Sequence, residues 1–150
     1  MDRRELLGTV ATGAAGLLAL GQGRQVSAAS PDDTKMKMAM DDCLKACKTC
    51  ASTCEETFAH CFGLVTEGKK EHAREAEYAL DCAEFCALSV KLMLRKSDLV
   101  AESCHACAEA CKKCGDECAK HDGEVMKRCV AACRECEKTC RAMAADHHHG

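Results

Sequence analysis

From residue 30 onward, apolar positions return every three or four residues, and Lys, Glu, Arg, Asp and Ala fill most of the positions between them. That period is the mark of helices with one buried face. Four segments carry it, at about residues 35–63, 69–95, 97–120 and 124–145. Pro31, Asp32, Asp33 and Thr34 read as start signals for the first, and Ser97 reads as the cap of the third. Glu67-Gly68 and His121-Asp122-Gly123 break the chain between segments. Gly115 lies inside the third helix, at a cost of about 1 kcal/mol relative to alanine. Short connections make sequence neighbours antiparallel. The expected fold is therefore all-α, an antiparallel up-down-up-down four-helix bundle with a cysteine-lined core, and no strand pattern is visible.

The residues that occupy the buried face are unusual. The first helix presents Cys43, Cys47, Cys50, Cys54 and Cys61, and the third presents Cys104, Cys107, Cys111, Cys114 and Cys118. The fourth presents Cys129, Cys133, Cys136 and Cys140. The second has Cys82 and Cys86, and its seam continues through Leu88, Val90, Leu92 and Met93. Steps of three and four place thiols where a bundle normally carries leucine. The first, third and fourth helices also resemble one another through a repeated C-x-x-x-C-x-x-C element.

Composition sharpens the point. Of 150 residues 16 are cysteine, three Phe, one Tyr, one Pro and none Trp. From residue 30 on there are seven Leu, five Val, three Phe and no Ile. A core for this length normally holds more aliphatic volume. Either cysteine is the core or something bound to cysteine holds the fold. A net charge of −3 gives no reason to expect a nucleic-acid partner.

Residues 1–29 read as a separate export signal. Asp2-Arg3-Arg4-Glu5-Leu6-Leu7 precedes a mildly apolar run from Leu6 to Leu20, too short to span a bilayer well, and Ser27-Ala28-Ala29 offers small residues for cleavage. The paired arginines favour the twin-arginine route. The expected organisation is a signal peptide at 1–29, a metal-binding bundle at 30–150, a periplasmic location and no membrane contact after cleavage.

Sixteen inward thiols admit three uses. Disulfides within a helix are opposed by geometry: helical neighbours place Cβ atoms about 5–6 Å apart, and a disulfide needs about 3.5–4.5 Å. An inert thiol core would be underfilled and prone to oxidation. Metal binding fits better. Thiolate selects Cu(I), zinc or iron–sulfur clusters. Zinc and iron–sulfur sites are usually discrete sets presented by turns and loops. Continuous ladders suit Cu(I), which accepts two or three sulfurs and tolerates bridging thiolates, at roughly 10–16 ions per chain.

Methionine adds a direction. In this topology one end of the bundle gathers Met36, Met38, Met40, Met93 and Met143, with His147, His148 and His149 close behind. The other end gathers Phe58, Phe62, Leu64, Val65, Tyr78, Leu80 and Val125, an expected apolar plug. Thioether is a weak, neutral, soft donor suited to hand-over of Cu(I). His60 and His105 point off the seam, and His72 and His121 read as surface and turn residues. No Ser/His/Asp set, phosphate loop or flavin motif supports an enzyme. Two other readings stay open: a zinc-buffering or detoxifying thiol bundle, and a thiol/copper oxidoreductase.

The three elements at Cys43–Cys47–Cys50, Cys107–Cys111–Cys114 and Cys129–Cys133–Cys136, together with Cys82-x-x-x-Cys86, resemble the bacterial copper storage proteins over about residues 36–145. The leader resembles that of the exported branch, whose members also carry a methionine-containing mouth. The resemblance implies a four-helix bundle holding many Cu(I) ions, assembly as a homotetramer, and a copper-requiring enzyme or chaperone as recipient.

Overall fold

A computed structural model describes residues 30–146. The reading of residues 1–29 as an export signal, and any role of His147–His149, lie outside that range.

Helix α1 spans Pro31–Thr66. It begins earlier than the expected residue 35 because Ser30 and Asp33 form a reciprocal cap. The Asp33 amide donates to Ser30 Oγ at 3.1 Å, and the Ser30 amide donates to Asp33 Oδ2 at 3.2 Å. Pro31 fills the first turn, where its missing N–H costs nothing. Gly68, at φ +94°, turns the chain into a short 3-10 segment at Lys70–His72 and then into α2, Ala73–Leu94. Lys96 closes α2 in the left-handed region (φ 52°), and the Ser97 amide donates back to the Leu92 carbonyl.

Ser97 does not cap the third helix as expected. Its hydroxyl accepts from the Leu99 amide at 3.3 Å within the turn, and α3 runs Val100–Cys118 from an N-cap at Leu99. Gly123, at φ +125°, precedes α4, Glu124–Asp146.

Helix α1 packs on α2 and α4, and α3 packs on the same two, which is the square cross-section of an up-down-up-down bundle. No strand occurs among the described residues. Every cysteine is fully buried, and the rest of the core is mainly alanine with Leu92, Val100 and three methionines, Met93, Met126 and Met143. Small side chains let the helices approach closely. At Gly115 an added Cβ would sit 3.2 Å from Cys133 Cβ, so the missing side chain sets the α3–α4 contact. The buried hydroxyls are satisfied: Thr57 donates to the Thr53 carbonyl, Ser89 to that of Ser103, and Ser103 to that of Val100.

The expected apolar plug is only partly present. Phe58 and Tyr78 are half-buried against the core, but Phe62 is 55% and Leu80 39% exposed. The axis belongs to the thiols, and a bundle closed over such small groups has no room for rings inside it.

Candidate metal centre

Because the cysteines recur at helical spacing on four facing helices, their sulfurs meet along the bundle axis. All sixteen are free thiols. Contacts of 3.4–4.0 Å join every cysteine except Cys61 and Cys104 into one network. The shortest, 3.4 Å, links Cys47 to Cys140. These separations are far too long for disulfides, which need about 2.05 Å. They match the spacing of sulfurs that share an ion at about 2.3 Å each.

The network resolves into sets whose sulfurs all lie within 4.8 Å of one another. In order from the start of α1 five of these are Cys43, Cys104 and Cys140; then Cys47, Cys107, Cys136 and Cys140; then Cys50, Cys86, Cys111 and Cys136; then Cys50, Cys54, Cys82 and Cys133; then Cys54, Cys114, Cys129 and Cys133. Each consecutive pair of sets has at least one cysteine in common: Cys140, Cys136, Cys50, and then Cys54 with Cys133.

Protons are distributed unevenly over this array. Hydrogen bonding with Cys111 and Cys133 holds Cys50 below the ordinary thiol range, and interaction with Cys118 and Cys129 does the same for Cys114. Cys86 is pushed up by Cys107 and Cys111, and Cys133 by Cys111 and Cys114. Crowded sulfurs cannot all ionise at once, so some act as acceptors and others keep their protons until a cation replaces them.

Cys61 stands apart from the sulfur contacts. Burial pushes its thiol up to about 11, with the charge of Glu75 adding to the effect. An unfolded thiol at 9.0 ionises first, so the stability held by neutral Cys61 is complete below that pH and is lost as pH rises through the folded value. Between about pH 8 and about pH 10.5 the metal-free protein should lose about 2 kcal/mol from this group. Urea unfolding at both pH values checks it, because Cys61→Ala should show a smaller loss by that amount.

At the start of the array the methionines separate. Met36, Met40 and Met93 line a groove of about 770 Å³ together with Asp33, Asp41 and Asp98. Met93 and Met143 are buried in the core. Met38 does not join them and is 63% exposed. The M-K-M-A-M stretch is helical, so alternate residues lie about 200° apart and only Met36 and Met40 share a face.

At the other end the structure places a group that the sequence reading missed. Glu75, in the first turn of α2, is fully buried. His72 Nδ1 lies 3.6 Å from Glu75 Oε1, His121 Nε2 lies against the same oxygen, and the two imidazole centroids are 4.7 Å apart. His72 and His121 are therefore not the plain surface and turn residues expected. His60 and His105 are exposed, off the seam, as expected.

Comparison with known proteins agrees with this geometry. The sequence profile of the copper storage protein family matches residues 36–145. The Cu(I)-bound copper storage protein 3 of Bacillus subtilis is 34% identical, with a TM-score of 0.65 over 71% of this chain and 98% of that one. A copper storage protein from Streptomyces lividans, solved with five coppers, is 29% identical with a TM-score of 0.68, over 75% of this chain and 97% of that one. The uncharacterized cysteine-rich protein YhjQ of Bacillus subtilis is 38% identical over 74 residues, a match spanning 48% of this chain and 65% of that relative.

The Streptomyces lividans protein is described as cytosolic, which contradicts the periplasmic location expected from residues 1–29. That expectation rested on the charge and apolar pattern of the leader alone, and the thiol bundle itself carries no requirement for export. With four antiparallel helices, a continuous thiol axis and a profile match across 36–145, the chain belongs to the copper storage protein family.

Proposed function

We propose that this chain stores Cu(I) as a thiolate-bridged array inside the bundle and has no catalytic role. The observation that carries this is the sharing of Cys50, Cys54, Cys133, Cys136 and Cys140 between adjacent sulfur sets. A discrete zinc site keeps four ligands to itself, so shared sulfurs disfavour the zinc-buffering reading. Cu(I) accepts two or three soft donors and allows each thiolate to bridge. An oxidoreductase needs a thiol that a substrate can reach, and every cysteine here is fully buried. Relatives solved with five coppers and with 10 copper equivalents support multiple occupancy.

Copper loads through the methionine groove and leaves by it to a copper-requiring enzyme or chaperone. Met36 and Met40 at the surface, then Met93, then the set of Cys43, Cys104 and Cys140, form a path from weak thioether to tight thiolate. The three aspartates in the groove outnumber its two lysines, Lys37 and Lys96, and attract the cation.

Anaerobic Cu(I) titration against a competing chelator tests both parts. The end point should fall at roughly 10–16 ions per chain, and an end point of four or fewer overturns storage. Replacing Met36 and Met40 by leucine keeps volume while removing sulfur. Stopped-flow uptake should slow several-fold with capacity unchanged, whereas Met38→Leu should load like the parent. Equal uptake by all three proteins would place the path elsewhere.

A further inference from the structure

We propose that His72, Glu75 and His121 form a second metal site, of a different chemical class from the thiol array, which takes a divalent ion such as Zn(II) or Co(II). The carboxylate is the reason to look for a cation. Glu75 is fully buried, and neither of its oxygens has a hydrogen-bond partner; His72 Nδ1 is likewise buried without one. A buried carboxylate without a hydrogen bond is costly, and the groups that face it are two imidazole nitrogens that approach the same oxygen from two separate segments, one before α2 and one in the α3–α4 turn. All of this lies at the end of the bundle far from the methionine groove.

Two nitrogens and one carboxylate oxygen are a borderline-to-hard set. A divalent ion bonds such donors at about 2.0–2.2 Å, which separates neighbouring donors by about 3–3.6 Å. The 3.6 Å between His72 Nδ1 and Glu75 Oε1 falls in that range. Three protein ligands leave a further position free. His121, 26% exposed at its side chain, borders a surface cavity of about 320 Å³ also lined by Cys118 and Met126, which gives an ion a way in. Cu(I) prefers the thiolates, so the two cargoes sort by ligand softness.

The competing description is a plain imidazolium–carboxylate pair that binds nothing. Cobalt separates the two. The full chain is first saturated with Cu(I), so that the thiols are occupied, and Co(II) is then titrated in anaerobically at neutral pH. One Co(II) per chain should bind with ligand-field bands in the visible and without sulfur-to-cobalt charge transfer. Glu75→Gln and His121→Asn should each weaken this step by roughly 100-fold or more, while Cu(I) capacity and helical circular dichroism stay at the parent value and His105→Asn leaves cobalt binding intact. His121→Asn lies in a turn, so it stays informative if Glu75→Gln perturbs folding. No cobalt uptake, strong sulfur charge transfer, or undiminished uptake by His121→Asn overturns the assignment. Displacement of cobalt by further Cu(I) would also overturn it. The proposal does not rest on copper storage: a failure of storage appears in the Cu(I) titration, and a failure of this site appears in the cobalt step.

Discussion

Loading with Cu(I) should raise the melting temperature of the bundle by tens of degrees, from a metal-free state that is already helical. The metal-free fold stands on a capped first helix, short turns and a continuous buried face, so it does not need an ion to form. Its margin is nevertheless small. The axis is filled by thiols and alanines in place of leucines, and each buries little apolar area. The ion pairs that cross from α3 to α4, Arg134 with Asp116 and Arg141 with Glu109, are exposed and contribute little. Copper binds the prearranged sulfur sets more tightly than the scattered thiols of an unfolded chain, and each site held at a thousand times its Kd contributes up to about 4 kcal/mol. Several such sites far exceed the marginal stability of an ordinary domain. Thermal melts of reduced protein with zero, five and ten equivalents of Cu(I) should rise stepwise. A random-coil spectrum without metal would overturn the picture of a preformed bundle.

The second large effect concerns position along the array. Replacing Cys50, Cys133 and Cys136 by serine should remove about four to six ions from the end-point capacity, because each of these sulfurs serves two sets. Replacing Cys61, Cys104 and Cys118 should remove about half as many. Cys61 and Cys104 make none of the close sulfur contacts, and Cys118 makes one, with Cys129. Buried serine hydroxyls cost about 1–3 kcal/mol each if unpaired, so the matching alanine triples serve as a check, and circular dichroism confirms that each variant folds. Equal losses from the two triples would mean that ions occupy separate sites and that bridging is absent.

The thiol axis was legible in the sequence because steps of three and four on a helix admit one geometry. Cys43 through Cys61, Cys104 through Cys118 and Cys129 through Cys140 each had to share a face, and short turns had to bring those faces together. The same rule places Met38 away from Met36 and Met40, a consequence visible only once the lead-in is known to be helical. The aromatic residues misled for a different reason. Phe62 and Leu80 look like core by hydropathy, but the core positions were already taken by smaller groups, and these side chains remain outside. Glu75 was not legible at all. A glutamate in a helix normally faces water, and its burial depends on His121, 46 positions away, folding over the same end. Such a contact has no period and leaves no trace in the spacing of residues.

The succession of sulfur sets gives the bundle a modular economy of size. Sets follow one another at less than one helical turn, because neighbours share a cysteine, and each is built from the same few side chains on the same faces. A longer vessel therefore needs no new design. Adding one heptad to each helix lengthens the bundle by about 10 Å and extends the axis by about two further layers. Truncating the helices by the same amount removes layers without disturbing those that remain. The amount held is thus an extensive property of the rod, set by how far the repeat is carried along it.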